Sequence, residues 1–265
     1  MRRRSFLAAL TVLPALPLAA RAAEGDLNIG IYPGTGKADI VMGDFRAYAM
    51  PFAQALGDAI GANPKLTLFR SIRSVQASLK SGRLDLYFVP PAVAVSALDN
   101  DYSPVARVRD QATGMLVRRK GAEVTAVALT EKESWLDVMA RHTLRQNKIE
   151  VEKLYNFKEQ DDVFLAMQRD YAQAGSLRSK KADELIASGQ YELWYPLPNT
   201  PDYTLMASNR LSAAQRDQLG AAAAGLSPAA IQSLQKTIHS KVSGFVIDKQ
   251  ADYRIVKQAI SEAGY

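Results

Sequence analysis

There is no cysteine anywhere in the 265 residues. That excludes disulfides, thiolate metal sites, a catalytic thiol and a lipid-bearing N-terminal cysteine. Histidine is nearly as scarce: His142 and His239 are the only two, and neither has a second histidine at metal-ligand spacing. His142 sits beside Arg141 and Arg145, a pattern that reads as a helix surface. No Gly-x-Ser-x-Gly elbow occurs. Asp161 and Asp162 form an acid pair, but at a helix start, where acids favour the helix dipole without any catalytic task. The expectation is a protein without metal, cofactor or enzymatic function. Long hydrophobic runs are also missing. The apolar stretch 6–20 is too short to span a bilayer, and Pro14 and Pro17 interrupt it.

That stretch has another meaning. Arg2, Arg3 and Arg4 precede it, and Ala20-Arg21-Ala22 closes it with small residues at the spacing a signal peptidase reads. Residues 1–22 are therefore expected to be an export signal. Arg3-Arg4-Ser5-Phe6-Leu7 is also compatible with the twin-arginine route, as the general route is with the segment as a whole. Arg2, Arg3, Arg4 and Arg21 account for four of the net +6, leaving +2 on the mature chain. No arginine-rich or aromatic-interleaved basic run survives cleavage, so nucleic acid is not an expected partner. With no further long apolar run, the mature protein is expected free of stable membrane insertion.

What is present is alternation. Residues 27–32 read as a buried strand, followed by the loop Pro33-Gly34-Thr35-Gly36-Lys37, whose glycines let the backbone approach something closely. The loop lacks the glycine spacing and Gly-Lys-Thr ending of a phosphate loop. Asp44 is expected to cap a helix whose Phe45, Ala49, Phe52, Leu56 and Ile60 form one stripe. Residues 65–70 give the next strand. Residues 74–91 then read as helix, Gly82 stop, an apolar strand over 84–89, and Pro90-Pro91 ending the strand before a new helix over 92–98. Extended segments follow at 100–108 and 113–119. A second series comprises strands at 124–129, 149–154, 174–177 and 191–196, with helices at 133–146, 161–173 and 182–188. An extended return at 203–208 and helices at 212–224, 229–237 and 251–263 complete the chain.

Strand–helix alternation argues for parallel, doubly wound sheets. The fold class expected is α/β, two doubly wound lobes joined by two crossing segments. Lobe 1 takes residues 24–116 and 206–265, and lobe 2 takes 117–205. Such a hinge-and-cleft molecule closes on a guest that touches both lobes.

Particular residues point to a family. Leu27-Asn28-Ile29-Gly30-Ile31 opens the mature chain, and Leu79-Lys80-Ser81-Gly82-Arg83-Leu84-Asp85-Leu86 gives a helix–Gly–x–hydrophobic–Asp strand. Tyr102-Ser103-Pro104-Val105-Ala106, residues 163–173 followed by Ala174-Gly175, and Ala251-Asp252-Tyr253 fall in matching order. On these segments the mature chain resembles the periplasmic solute-binding proteins of phosphate, phosphite and phosphonate ABC transporters, with their type II periplasmic binding fold. The resemblance implies a monomeric periplasmic protein that captures a small, anionic solute and presents it to a membrane ABC permease. A ligand-sensing or accessory protein of the same fold, docking on a non-transporter membrane partner, is the alternative. The sequence departs from the family at Ile72, where a tyrosine is expected, and at Val89-Pro90, where a polar pair is expected. Glu131 and Glu133 stand where the family has a hydroxyl-rich turn; beside a dianion these two acids cost binding unless Lys132 or an arginine offsets them.

The candidate ligand-binding residues lie mostly at helix starts, where unsatisfied amides attract anions. Ser71, Arg73 and Ser74 open one helix, with Arg73 either an oxyanion clamp or a solvated helix-face charge. Pro91 and Ala92 open the next. Thr35 offers a hydroxyl or simply turns the chain. In lobe 2, Thr130 and Ser134 are candidates, Ser134 also as a plain N-cap, and Trp135 either stacks on a flat ligand or packs in the core. Tyr32 and Tyr195, at strand ends, complete the set.

Overall fold

The computed structural model describes residues 25–34, 40–238 and 240–265. The expected export signal, Thr35 with the rest of its loop through Lys37, and His239 lie outside the described residues.

The first lobe is assembled from both ends of the chain. It begins with β1 (Asp26–Ile31), α1 (Met42–Ile60), β2 (Asn63–Leu68), α2 (Ile72–Ser81), β3 (Leu86–Val89), α3 (Pro91–Leu98) and β4 (Tyr102–Val108). The chain then crosses through β5 (Gln111–Ala112) and enters the second lobe. That lobe comprises β6 (Gly114–Arg119), β7 (Ala126–Leu129), α4 (Trp135–Gln146), β8 (Lys153–Asn156), α5 (Gln160–Gln168), β9 (Ala174–Arg178), α6 (Ser179–Ala187) and β10 (Tyr191–Pro196). It returns through β11 (Thr200–Pro201) to β12 (Thr204–Ser208), α7 (Ala213–Ala224), α8 (Pro228–Gln235), β13 (Phe245–Ile247) and α9 (Arg254–Ala263).

Among the described residues there are two large sheets, in the orders β13-β4-β12-β3-β1-β2 and β10-β6-β9-β7-β8. Both are mixed, which corrects the all-parallel expectation. β1 runs parallel to β2 and β3, but β12 inserts antiparallel between β3 and β4. In the second sheet β7 pairs parallel with β8 and β9, while β6 pairs antiparallel with β9 and β10. Apart from edge strand β13, which pairs antiparallel with β4, the antiparallel strands are those entering or leaving a crossing, where the chain returns without a helical crossover. β5 and β11 pair with each other, so the two crossings are themselves a short ladder.

Local rules explain most boundaries. α2 starts on Ser71, whose Oγ accepts from the Ser74 amide at 3.2 Å, and stops on Gly82 at φ 61°, a left-handed cap that favours glycine. α1 begins earlier than expected, with Val41 as N-cap; Asp44 lies within its first turn, favouring the dipole instead of capping. α4 begins at Trp135, not Glu133, because Glu133 is left-handed at φ 67°. α5 ends at Gln168, and Asp170 is left-handed behind it. The strand expected over 149–154 is β8, pairing Lys153 with Ala126; Ile149 and Val151 instead pack on the core from a loop. α9 begins at Arg254, after Asp252 has accepted from its amide at 3.0 Å.

One core lies around β1, α1, α7 and α8, with Phe52, Phe88, Tyr203 and Phe245 ring against ring. Another runs from α2 and α3 through α9 into α4 and so joins the lobes. His142 is not on the surface. It is buried on α4, with Nδ1 2.8 Å from Glu262 of α9. Among the described residues no helix is long and apolar enough to cross a membrane.

Candidate functional site

Five helix starts meet at one small cavity between the lobes. Ile72 opens α2, Pro90 and Ala92 flank the start of α3, and Ser134, Trp135 and Leu136 open α4; Gln160 opens α5 and Arg178 caps α6. α2 and α3 belong to the first lobe and the other three to the second. First-turn amides have no intrahelical partner, so the cavity sits at the positive ends of five dipoles. Its volume is about 40 Å³, on the order of two or three waters. Tyr32, Gly34, Tyr203, Glu133 and Ser240 also line it.

On the first-lobe side, Tyr32 directly follows β1 and is almost fully buried, its hydroxyl donating to Glu131 at 3.2 Å. Burial, reinforced by the Glu131 charge, raises its pKa far above the phenol range. Gly34 sits at φ 81° under the Tyr203 hydroxyl, which donates to the Pro33 carbonyl. A Cβ there would strike that oxygen, so glycine is required twice over.

On the second-lobe side, the turn between β7 and α4 is tied down from within. Thr130 Oγ1 and Ser134 Oγ lie 2.7 Å apart, Ser134 Oγ caps the Asp137 amide at 3.3 Å, and Asp137 accepts the Glu133 amide at 3.1 Å. Asp137 is fully buried and also accepts from Arg141, Asn156 and the Tyr265 hydroxyl, each within 2.8 Å. The turn sends two carboxylates across the cleft. Glu131 accepts from Tyr32, and Glu133 accepts from Gln76 of α2 at 2.6 Å. Burial raises the Glu131 carboxyl above the ordinary glutamate value; the Glu133 charge adds to the rise, while Tyr32, the Ile72 amide and Lys158 oppose it.

Arg178 lies 4.5 Å over the Trp135 ring and grips Asp202 at 3.1 and 3.3 Å. Trp135 is itself buried and donates Nε1 to Thr200 at 2.8 Å. This tryptophan is thus a core residue stacked on a cation, with only part of its surface on the cavity.

Of the expected site residues, Tyr32, Ala92, Ser134 and Trp135 line the cavity. Pro91 is buried beside it at the start of α3. Thr130 is fully buried behind Ser134. Ser71 and Ser74 spend their side chains on the α2 cap, and Arg73 is exposed on its outer face. Tyr195, on edge strand β10, packs against Trp194 away from the cavity. Arg178, Gln160, Tyr203 and Ser240 went unforeseen. Arg178 and Gln160 follow the helix-start rule and were within its reach; Tyr203 and Ser240 arrive from loops and carry no local signal.

With two mixed α/β sheets joined by paired crossings around a cleft, the fold is that of the type II periplasmic binding proteins. Residues 44–253 match the family described as ABC transporter, phosphonate, periplasmic substrate-binding protein, and the chain belongs to that family. Its fold is shared with XAC2383 from Xanthomonas citri bound to ATP (TM-score 0.70, 12% identity, covering 90% of this chain and 96% of that one). It is equally similar to PhnD1 from Prochlorococcus marinus in complex with methylphosphonate (TM-score 0.69, 14% identity, 90% and 98% covered). The aliphatic sulphonate binding protein SsuA from Escherichia coli is a more distant likeness (TM-score 0.52, 12% identity, 90% and 83% covered). A comparison with curated proteins finds no sequence match.

Proposed function

We propose that this protein is exported to the periplasm, captures a small oxyanion between its lobes, and delivers it to an ABC permease as a monomer. We place the lobes at residues 25–110 with 203–265 and at residues 113–199, joined by the crossings 111–112 and 200–202. The observation that carries the reading is the convergence of five helix starts, two from one lobe and three from the other, on one small cavity. Amides at helix starts bind anionic groups without a dedicated cation, and here the nearest cation, Arg178, is already held by Asp202. Membership of a substrate-binding family supports solute capture over catalysis.

A thermal-shift screen against phosphate, phosphite, phosphonates, sulfur oxyanions and carboxylates tests this, since a ligand of the folded state raises the melting temperature. At least one oxyanion is expected to do so. No shift with any of them, together with a neutral compound found by mass spectrometry of gently purified protein, counts against it. The sensor or accessory reading is favoured by Glu131 and Glu133, which join the lobes without a solute. Co-purification with a membrane kinase or redox protein instead of a permease is its mark.

A further inference from the structure

We propose that Glu131 is an internal ligand of the cleft: its carboxylate accepts from the Tyr32 hydroxyl beside the start of α2 and occupies an oxyanion position there, so the lobes close with no solute bound. The inference rests on the reading of the cleft as an anion site.

Glu131 is carried by the second lobe and accepts from Tyr32 of the first, as Glu133 accepts from Gln76 of the first. Those bonds exist only while the lobes are together, which is the condition a solute must meet to stabilise closure. The position is chemically right for an oxyanion, since Ile72 is the first residue of α2 and its amide has no intrahelical partner. Glu133, two residues on, makes the same crossing to Gln76. The turn is built to present both acids. Glu133 is left-handed at φ 67°, an unusual conformation for a residue with a side chain, and Asp137 holds it there through its amide.

With Glu133 on its wall, the cavity has a volume of about 40 Å³. That is about two or three waters. Yet the cavity still seeks a polar guest, for the buried Ser240 hydroxyl on its wall has no hydrogen-bond partner. A solute oxyanion entering at Tyr32 and Ile72 must displace Glu131. The displacement is feasible because the desolvation of this half-buried carboxylate works against its hydrogen bond from Tyr32. Glu131 thereby also sets selectivity: a solute must bind more favourably than a tethered carboxylate at high effective concentration.

Small-angle X-ray scattering of the ligand-free protein tests this directly. Wild type is expected to scatter as the closed form, and Glu131→Ala and Tyr32→Phe to show a larger radius of gyration, with circular dichroism confirming that each is folded. If both variants are as compact as wild type, the internal ligand is overturned. Should Glu131→Ala fail to fold, Tyr32→Phe, which removes only a hydroxyl, decides the question by the same readout. Titration with inorganic phosphate and methylphosphonate separates this from the reading of the cleft. Glu131→Ala is expected to bind at least one of them tenfold or more tightly than wild type. If neither anion binds either protein, the anion reading fails, while scattering still decides whether Glu131 closes the lobes.

Discussion

The Arg178 guanidinium sits 4.5 Å above the Trp135 ring while both of its terminal nitrogens reach Asp202, a carboxylate only 2% exposed. Asp202 lies on the return crossing and Trp135 opens α4, so this one arginine fastens a helix start of the second lobe to the crossing. Removing one member of a buried pair leaves the other charge uncompensated. Arg178→Ala is therefore expected to destabilise the fold by about 3 kcal/mol, read by urea denaturation. A loss below about 1 kcal/mol would mean that Asp202 finds water or another donor when Arg178 is gone.

Glu131 makes stability depend on pH, and the sign follows from its raised pKa. A carboxyl whose pKa lies above its ordinary 4.5 contributes stability below that value and loses it as pH rises through the raised one. The neutral acid still accepts from Tyr32 through its carbonyl oxygen, without the cost of burying a charge beside Glu133. Melting temperature should fall as pH climbs through this window, and Glu131→Gln should flatten that part of the profile. Tyr32, Glu133 and Lys158 also face the group, so an unflattened profile in the variant would assign the slope elsewhere.

The Ser240 hydroxyl is buried without a partner, so it contributes desolvation cost and no bond in the solute-free protein. Ser240→Ala should leave stability unchanged or raise it by about 1 kcal/mol. Denaturation curves showing a clear loss would reveal that the hydroxyl is satisfied in solution.

Tyr265 donates to the buried Asp137 at 2.7 Å, and Asp137 in turn fixes the Glu133 amide. Tyr265→Phe should cost about 1.5 kcal/mol, the usual worth of a bond to a charged acceptor. It should also speed amide hydrogen exchange at Glu133. Unchanged exchange would uncouple Tyr265 from the turn.

How much of this was legible beforehand depended on the range of the interaction. Gly82 as a left-handed stop, Pro91 at a helix start and the apolar run of β3 are local, and each is where the pattern put it. The insertion of β12 between β3 and β4 is not local, because the same extended run suits either orientation and any neighbour. Glu133 in a left-handed turn gives no compositional hint; glycine or asparagine would have. His142 looked solvated among its arginines because its partner, Glu262, lies 120 residues away. The cleft itself was half visible. Helix starts identified Ala92, Ser134 and Trp135, whereas Tyr203 reaches the cavity from a crossing and Ser240 from a loop after α8.

The strand Thr204–Ser208, at the middle of the first lobe's sheet, carries a consequence for biosynthesis. When the ribosome has made residues 25–108, that sheet has every earlier strand but a vacant slot at its centre, with β3 and β4 presenting bare backbone edges. The slot is filled only after the whole second lobe has emerged. The nascent N-terminal portion thus waits through roughly a hundred residues of synthesis in an aggregation-prone state, and a holdase that shields strand edges would serve it best during that interval.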